Sequence, residues 1–382
     1  MKRDRPNVAI VVRCVYDYRI PLYKELKRRG NANITVFHSN RDLSDHSKTA
    51  TDDDMKDFAT YIKGYLLRMG RARFVVQPSV IMRSLFGNYD VVICEYGKSM
   101  ICSQISLFLC KLTNKRFIWW AAGWEAVIYP KIDHVFKAYN RFFWKLADGA
   151  IVFHSEAFQR LAKAGLPKGE IYIAQNTRDD RPILNNWDYT IRQGEALRKC
   201  LGIQNSDKVI LYVGALIKRK RVDFLIKAFE KIAKRHPAVY LIIVGDGNER
   251  QSLETLIREL DIPRVIFVGN KTDDVYEYFS MCNVFVLPGL GGLAINDAMM
   301  CRKPVICSTA DGSEKDLIED GVTGYIIPES LFSEDVLVDK ILSVIGDEKV
   351  NVKMGERAYL RYMKIATFEE MVKNFEQAIL DL

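Results

Sequence analysis

The sequence lacks most of the features that assign a chain at sight. No uninterrupted apolar stretch in its 382 residues approaches the ~20 that a membrane-spanning helix needs. None of its eight cysteines (14, 94, 102, 110, 200, 282, 301, 307) forms a CxxC pair, and most sit in apolar contexts. They read as reduced, buried small hydrophobes rather than disulfides or zinc ligands. The five histidines (38, 46, 134, 154, 236) have no zinc spacing, and His154, at the end of the apolar run in "IVFHSE", reads as a satisfied buried histidine. A GxSxG elbow and a P-loop are missing, so neither serine-hydrolase nor P-loop chemistry is indicated. Helix-turn-helix, zinc-finger and aromatic RNA-binding signatures are missing too, which excludes nucleic acid as the expected partner. The start, "MKRDRPNVAIVVR", is charged and its apolar run is broken by Arg13, a pattern that predicts a cytoplasmic protein rather than a cleaved signal peptide.

What is present is an ordinary globular composition, 48% hydrophobic and 27% charged, at a length that favours two domains. The net charge of +8 suits an anionic partner such as a nucleotide or a phospholipid surface. Short β-branched runs alternate with periodic helical stretches from one end to the other. "NVAIVVR", "ANITVFH", "DVVICEY", "RFIWWAA", "GAIVFHS" and "EIYIAQN" are strands of one series. "KVILYVG", "VYLIIVGDG", "VIFVGN", "NVFVLPG" and "PVICST" form a second. This pattern predicts parallel sheets covered on both faces, in two doubly wound Rossmann-like lobes facing a central cleft. The expected boundaries are 1–176 for the first lobe, 177–207 for a linker and 208–366 for the second lobe, with an amphipathic helix at 367–382.

In such folds ligands bind outside the carboxyl ends of the strands, so the strand-to-helix loops are where chemistry is sought. Four strand ends of the second series coincide with glycine: Gly214, Gly245–Asp246–Gly247, Gly269 and the cluster Gly289, Gly291, Gly292. Gly292, Leu293 and Ala294 sit where a helix begins, and their amides suit a diphosphate. "GALIKRKRVD" puts Lys218, Arg219, Lys220 and Arg221 between a strand end and a helix. A cation there can neutralise a phosphate leaving group without a metal. "TDDDM" (Asp52 to Asp54) resembles the acidic pair of metal-dependent nucleotide-sugar enzymes, but it follows no strand and reads as a surface loop.

These loops, in this order, resemble the retaining nucleotide-sugar glycosyltransferases of family 4, with the GT-B fold. The words that carry the resemblance include "ADGAIVFHSEAFQRLAKAG", "ILYVGALIKRKRVDFLIKAF", "GGLAINDAMMCRKPVI" and "DGSEKDLIEDGVTGYII". "YRIPLYKEL" and "WWAAGWE" look like the matching loops of the first lobe. The resemblance implies a donor nucleotide diphosphate sugar, linked to UDP or GDP, on the second lobe and an acceptor on the first. It gives Lys220 the departing phosphate charge and Asp297 the ribose hydroxyls. Gly292, Leu293 and Ala294 offer amides to the phosphate and sugar, alongside Gly214, Lys218, Arg219, Gly245 and Gly291, and Asn270 lies beside the base. Arg19, Gly123 and Glu125 fall on the acceptor side, no cofactor or metal is expected, and the 367–382 helix packs back on the first lobe. Three positions depart from the family pattern: Gly289 and Ala122 replace a glutamate and a histidine, and Ala215 replaces an arginine.

Two further stretches, "MKDFATYIKGYLLRMGRARF" and "YPKIDHVFKAYNRFFWKLAD", mix Lys and Arg with aromatics at near-helical spacing. That spacing suits helices resting on the inner face of the cytoplasmic membrane, and it suits packed helices with a basic outer face equally. The expected function is transfer of a hexose, with retention, to a saccharide or lipid-linked acceptor in cell-envelope polysaccharide or lipopolysaccharide synthesis. A non-catalytic nucleotide-sugar-binding partner protein and a nucleotide-sugar epimerase of the same fold are the alternatives.

Overall fold

The computed structural model describes residues 5–39, 50–69, 72–97, 100–121, 133–272 and 274–381. It divides into two compact units: 1–179 with 368–382, and 180–367.

In the first unit the strands are β1 (Asn7–Val11), β2 (Asn33–His38), β3 (Ala59–Tyr61), β4 (Tyr65–Met69), β5 (Ala72–Val76), β6 (Val91–Glu95), β7 (Arg116–Ala121), β8 (Gly149–Val152) and β9 (Ile171–Ile173). Its helices are α1 (Ile20–Arg29), α2 (Asp52–Met55), α3 (Pro78–Phe86), α4 (Ile101–Leu112), α5 (Asp133–Leu146) and α6 (Ser155–Ala164). Seven strands form one parallel sheet in the order β3-β2-β1-β6-β7-β8-β9, and β4–β5 is a separate antiparallel hairpin. The central strands read as near-continuous apolar runs because both faces are covered: Val8 to Val11, Val91 to Cys94 and Phe117 to Ala121 are all buried.

The second unit holds α7 (Arg181–Asn185), α8 (Trp187–Cys200), β10 (Lys208–Val213), α9 (Val222–Arg235), β11 (Val239–Val244), α10 (Arg250–Glu259) and β12 (Val265–Gly269). It continues with α11 (Val275–Met281), β13 (Val284–Leu287), α12 (Ala294–Met300), β14 (Val305–Ser308), α13 (Ser313–Leu317), β15 (Gly324–Ile327), α14 (Glu334–Ile345) and α15 (Glu348–Ile365). Six parallel strands run in the order β12-β11-β10-β13-β14-β15. The helical stripe of α9, Val222, Leu225, Ile226, Phe229, Ile232 and Ala233, is buried throughout.

The last helix, α16 (Phe368–Leu380), returns to the first unit. Phe368, Met371, Val372, Phe375 and Ile379 enter that unit's core, where the Phe375 ring meets Trp120 edge-on at 5.0 Å. Arg29 of α1 fixes its polar side, pairing with Glu369 at 2.6 Å and Glu376 at 3.2 Å.

Three sequence expectations are corrected. The stretch read at helical spacing from Met55 to Phe74 contributes β3, β4 and the start of β5, because short runs mixing aromatic, aliphatic and charged residues suit a sheet as well as a helix. "TDDDM" forms a one-turn helix instead of a loop, closed by a capping box in which the Asp54 carboxylate accepts from Thr51. Residues 181–200, expected within a linker, are helices of the second unit: α8 lies against α11 so closely that a Cβ on Gly194 would sit 2.0 Å from the Ser280 hydroxyl. The Arg198 guanidinium donates to the Met281 carbonyl at 2.9 Å in the same contact.

Removing the Phe375 ring leaves a hole beside Trp120. Phe375→Ala is expected to cost about 3–5 kcal/mol in urea unfolding of the full chain. An unchanged midpoint would show that α16 does not belong to that core.

Candidate functional site

Both sheets reverse their strand order once, at β1/β6 in the first unit and at β10/β13 in the second. Connections leave the two central strands toward opposite sides there, so the carboxyl ends of the pair are left uncovered.

In the second unit the loops at the reversal are 214–221 and 288–293. Residues Lys218–Lys220 form a 3₁₀ turn that separates the four cations. Lys218 and Arg219 are exposed, and Arg221 pairs with Glu329 at 2.7 and 2.5 Å. Lys220 alone folds back across the reversal, its ammonium donating to the Leu290 and Gly291 carbonyls at 2.6 Å each. Burial brings its pKa down from 10.5 to about 8, with Arg219 lowering it further and Asp311 opposing the change. Asp311, unnoticed in the sequence, faces Gly291: a Cβ there would lie 3.0 Å from its Oδ2.

Beside Lys220, Leu293 precedes α12 and supplies no side-chain cap to its first-turn amides. Gly292 is exposed, and Leu293 and Ala294 are half-buried. Cations and helix-start amides thus meet at one sheet edge, an arrangement that can hold a diphosphate. Asp297, one turn into α12, is only 6% exposed and accepts from the Tyr276 hydroxyl at 3.2 Å. Asn270 lies exposed just past β12.

Two glycines have packing reasons that the sequence did not reveal. A Cβ on Gly245 (φ +133°) would stand 1.9 Å from the Gly214 carbonyl oxygen, so the pair allows the loops after β10 and β11 to pack backbone against backbone. A Cβ on Gly289 would stand 2.3 Å from the Arg219 carbonyl oxygen and 2.7 Å from the Lys220 Cα. The Leu290 amide donates to that same Arg219 carbonyl at 3.0 Å. The position where the resemblance expects a glutamate is therefore filled by the backbone that carries Lys220.

In the first unit the reversal holds a cavity of about 190 Å³ lined by Arg13, Tyr16, Arg19, Glu95, Trp120 and Phe153, among others. Arg13 clasps Glu95 through Nε to Oε2 at 3.1 Å and Nη2 to Oε1 at 2.8 Å. Burial works against the ionised Glu95, but the Arg13 charge and hydrogen bonds outweigh it and hold the carboxyl below its usual range. Arg19 lies 4.0 Å over the Trp120 ring. Sequence reasoning selected Arg19 and missed Arg13 and Glu95, whose one available signal was a charge at the end of an apolar strand. Gly123, Glu125 and Ala122 lie outside the described residues. His154 is buried and caps α6, its Nδ1 accepting from the Ala157 amide at 3.1 Å. Among the described residues no group of three or more His, Cys, Asp or Glu side chains could hold a metal ion.

Two doubly wound parallel units with polar groups at their strand-order reversals are the architecture of the GT-B fold. In whole-chain fold the protein is similar to Anabaena Alr3699/HepE in complex with UDP, with a TM-score of 0.73 at 17% identity over 98% of this chain and 100% of that one. Residues 193–361, all within the second unit, match the family model of glycosyl transferases group 1. N-acetyl-alpha-D-glucosaminyl L-malate synthase of Bacillus anthracis is 30% identical over 220 residues, 56% of this chain and 55% of that protein. Alpha-monoglucosyldiacylglycerol synthase of Acholeplasma laidlawii is 26% identical over 223 residues, 56% of this chain and 53% of that protein. The match thus spans about half the length of these curated relatives.

The fit of Gly289 against residues 219–220 predicts that any side chain there displaces the Lys220 loop. Gly289→Ala is expected to cost about 1–3 kcal/mol in chemical denaturation, and Gly289→Glu to do no better. Full stability in either variant would mean that the two loops do not pack as described.

Proposed function

We propose that the protein is a glycosyltransferase that moves a hexose or hexose derivative, with retention, from a UDP- or GDP-linked sugar to a saccharide or lipid-linked acceptor of the cell envelope. The observation that carries this reading is the Lys220 ammonium, folded onto the glycine loop beside the uncapped start of α12. The group 1 match over 193–361 covers the same loops.

In this reading the donor diphosphate lies against the amides of Gly292, Leu293 and Ala294, with Lys220 neutralising the charge that grows as it departs. The bond from sugar C1 to the diphosphate oxygen breaks while one to the acceptor oxygen forms on the same face. The acceptor proton passes to the departing phosphate, so no protein nucleophile and no metal is required. Asp297 takes the ribose hydroxyls, exchanging its Tyr276 partner for them, and Asn270 sits by the base. Gly214, Gly245 and Gly291 let the loops approach the ligand, and Lys218 and Arg219 add positive potential. Arg19, Gly123 and Glu125 serve the acceptor.

Contact with the inner face of the membrane belongs to the same proposal. No described helix is long and apolar enough to cross a bilayer. On α4, Ile101, Ile105, Phe108 and Leu112 form an exposed stripe, Leu112 being 80% exposed, and Phe142 of α5 meets Phe108 at 6.3 Å. Neither α3 nor α4 contains a carboxylate, while Arg83 and Lys111 lie on them. An apolar stripe on a carboxylate-free helix, with Lys111 at its end paired to Asp148, fits a lipid surface.

Incubating the protein with a panel of nucleotide sugars and membrane extract should release nucleoside diphosphate and extend an acceptor. Donor binding without release would instead support a non-catalytic partner protein, and donor isomerisation an epimerase. Lys220→Ala is expected to lower transfer by about 10²–10³-fold. Because the charged lysine is the form that binds phosphate, nucleoside diphosphate affinity should be flat below pH 7 and fall as pH rises through about 8. With the folded pKa below the ordinary 10.5, the ligand-free protein should also gain stability from pH 8 upward. Undiminished turnover in Lys220→Ala would place the phosphate elsewhere. Cosedimentation with phosphatidylglycerol vesicles should exceed that with phosphatidylcholine and drop about tenfold in Phe108→Glu/Leu112→Glu, whereas equal binding would remove the lipid contact.

A further inference from the structure

The first unit's cavity has a charge imbalance that points to its guest. Among the described residues of its lining, two guanidiniums, Arg13 and Arg19, face one carboxylate, Glu95. Both Glu95 oxygens are taken by Arg13, which reaches Oε2 through Nε and its own amide (3.2 Å) and Oε1 through Nη2. Arg19 makes no ion pair among the described residues. Its one side-chain hydrogen bond runs from Nε to the Tyr18 hydroxyl at 3.2 Å, which leaves both Nη groups to the cavity. The guanidinium is held flat by aromatic faces instead: Trp120 at 4.0 Å, Phe153 at 5.3 Å and Tyr18 at 5.4 Å.

An arginine fixed on a ring presents its Nη donors as a planar fork, the shape that matches a carboxylate or a phosphate. Enclosed cations are costly when nothing opposes them, and a neutral sugar would leave this one unopposed. A singly charged anion balances the described lining. Behind Trp120, outside the lining, the Tyr23 hydroxyl is buried without a hydrogen-bond partner, its ring meeting Trp120 edge-on at 6.4 Å.

We infer that this cavity binds an anionic group of the acceptor, a carboxylate or phosphate, through Arg19 stacked on Trp120. The inference rests on the transferase reading for the word acceptor, though not for the anion. At about 190 Å³ the space admits such a group together with a few carbon atoms or one small ring, not an extended chain.

The test uses the full chain carrying Lys220→Ala, so that anions at the second unit do not contribute. Inorganic phosphate, L-malate and methyl glucoside are titrated separately and followed by calorimetry or by Trp fluorescence. One or both anions should bind and the neutral glycoside should not. Phosphate alone binding would indicate a phosphoryl acceptor, and malate alone a carboxylate. Arg19→Met should weaken that binding at least tenfold, and Arg19→Lys should restore only part of it because an ammonium offers no fork. Glu95→Gln, which raises the charge of the cavity, should tighten it. Absence of anion binding, equal binding of methyl glucoside, or binding unmoved by Arg19→Met overturns the inference. Anion binding that follows Arg19 in a protein that transfers no sugar would instead leave the site standing and remove the transferase reading. Transfer to neutral acceptors at full rate in Arg19→Met alone would do the reverse.

Discussion

Each half of this molecule depends on one constraint, the single reversal of strand order in a parallel sheet. Right-handed crossovers place helices on one face on one side of the reversal and on the other face beyond it, so the two central strands end without a covering connection. Backbone groups and side chains at those ends have no helix to pack against and must satisfy one another or a guest. In the first unit Arg13 and Glu95 do so across β1 and β6; in the second, Lys220 does so across β10 and β13 by capping the carbonyls of Leu290 and Gly291. The two solutions are chemically different. An ion pair closes upon itself, whereas an ammonium on neutral carbonyls keeps its charge available to an anion.

That difference sets the energetics of the second site. Seating Lys220 among loops withdraws it from water and lowers its pKa to about 8, so the ligand-free site holds an ammonium short of counter-charge. The glycines beside it are the geometric condition for this arrangement. Gly289 gives way to the backbone of 219–220, and without that approach the lysine could not reach the far side of the reversal. What looks in the sequence like a lost sugar-binding glutamate is in the structure a steric requirement of the loop that carries the cation.

Much of the fold was legible because parallel strands buried on both faces must be apolar throughout, and "KVILYV", "VYLIIV" and "DVVICE" allow no other reading. The α9 stripe, the returning α16 helix and the basic run after β10 were equally plain. The 55–74 stretch was misread because period 2 and period 3.6 are hard to separate in short mixed runs. Arg13 and Glu95 stayed hidden because each is a lone charge, 82 positions from its partner, and only sheet order makes them neighbours.

The sequence by itself therefore determined which segments are strands, which helical faces are buried, and that cations and glycines cluster at strand ends, since these follow from local periodicity and residue chemistry. Tertiary structure alone decided which of four consecutive cations turns inward, why Gly289 can bear no side chain, and that Arg19, without an ion pair among the described residues, lies on an aromatic wall. Those outcomes depend on which strand ends adjoin and on how closely two backbones approach, distances that no local pattern encodes.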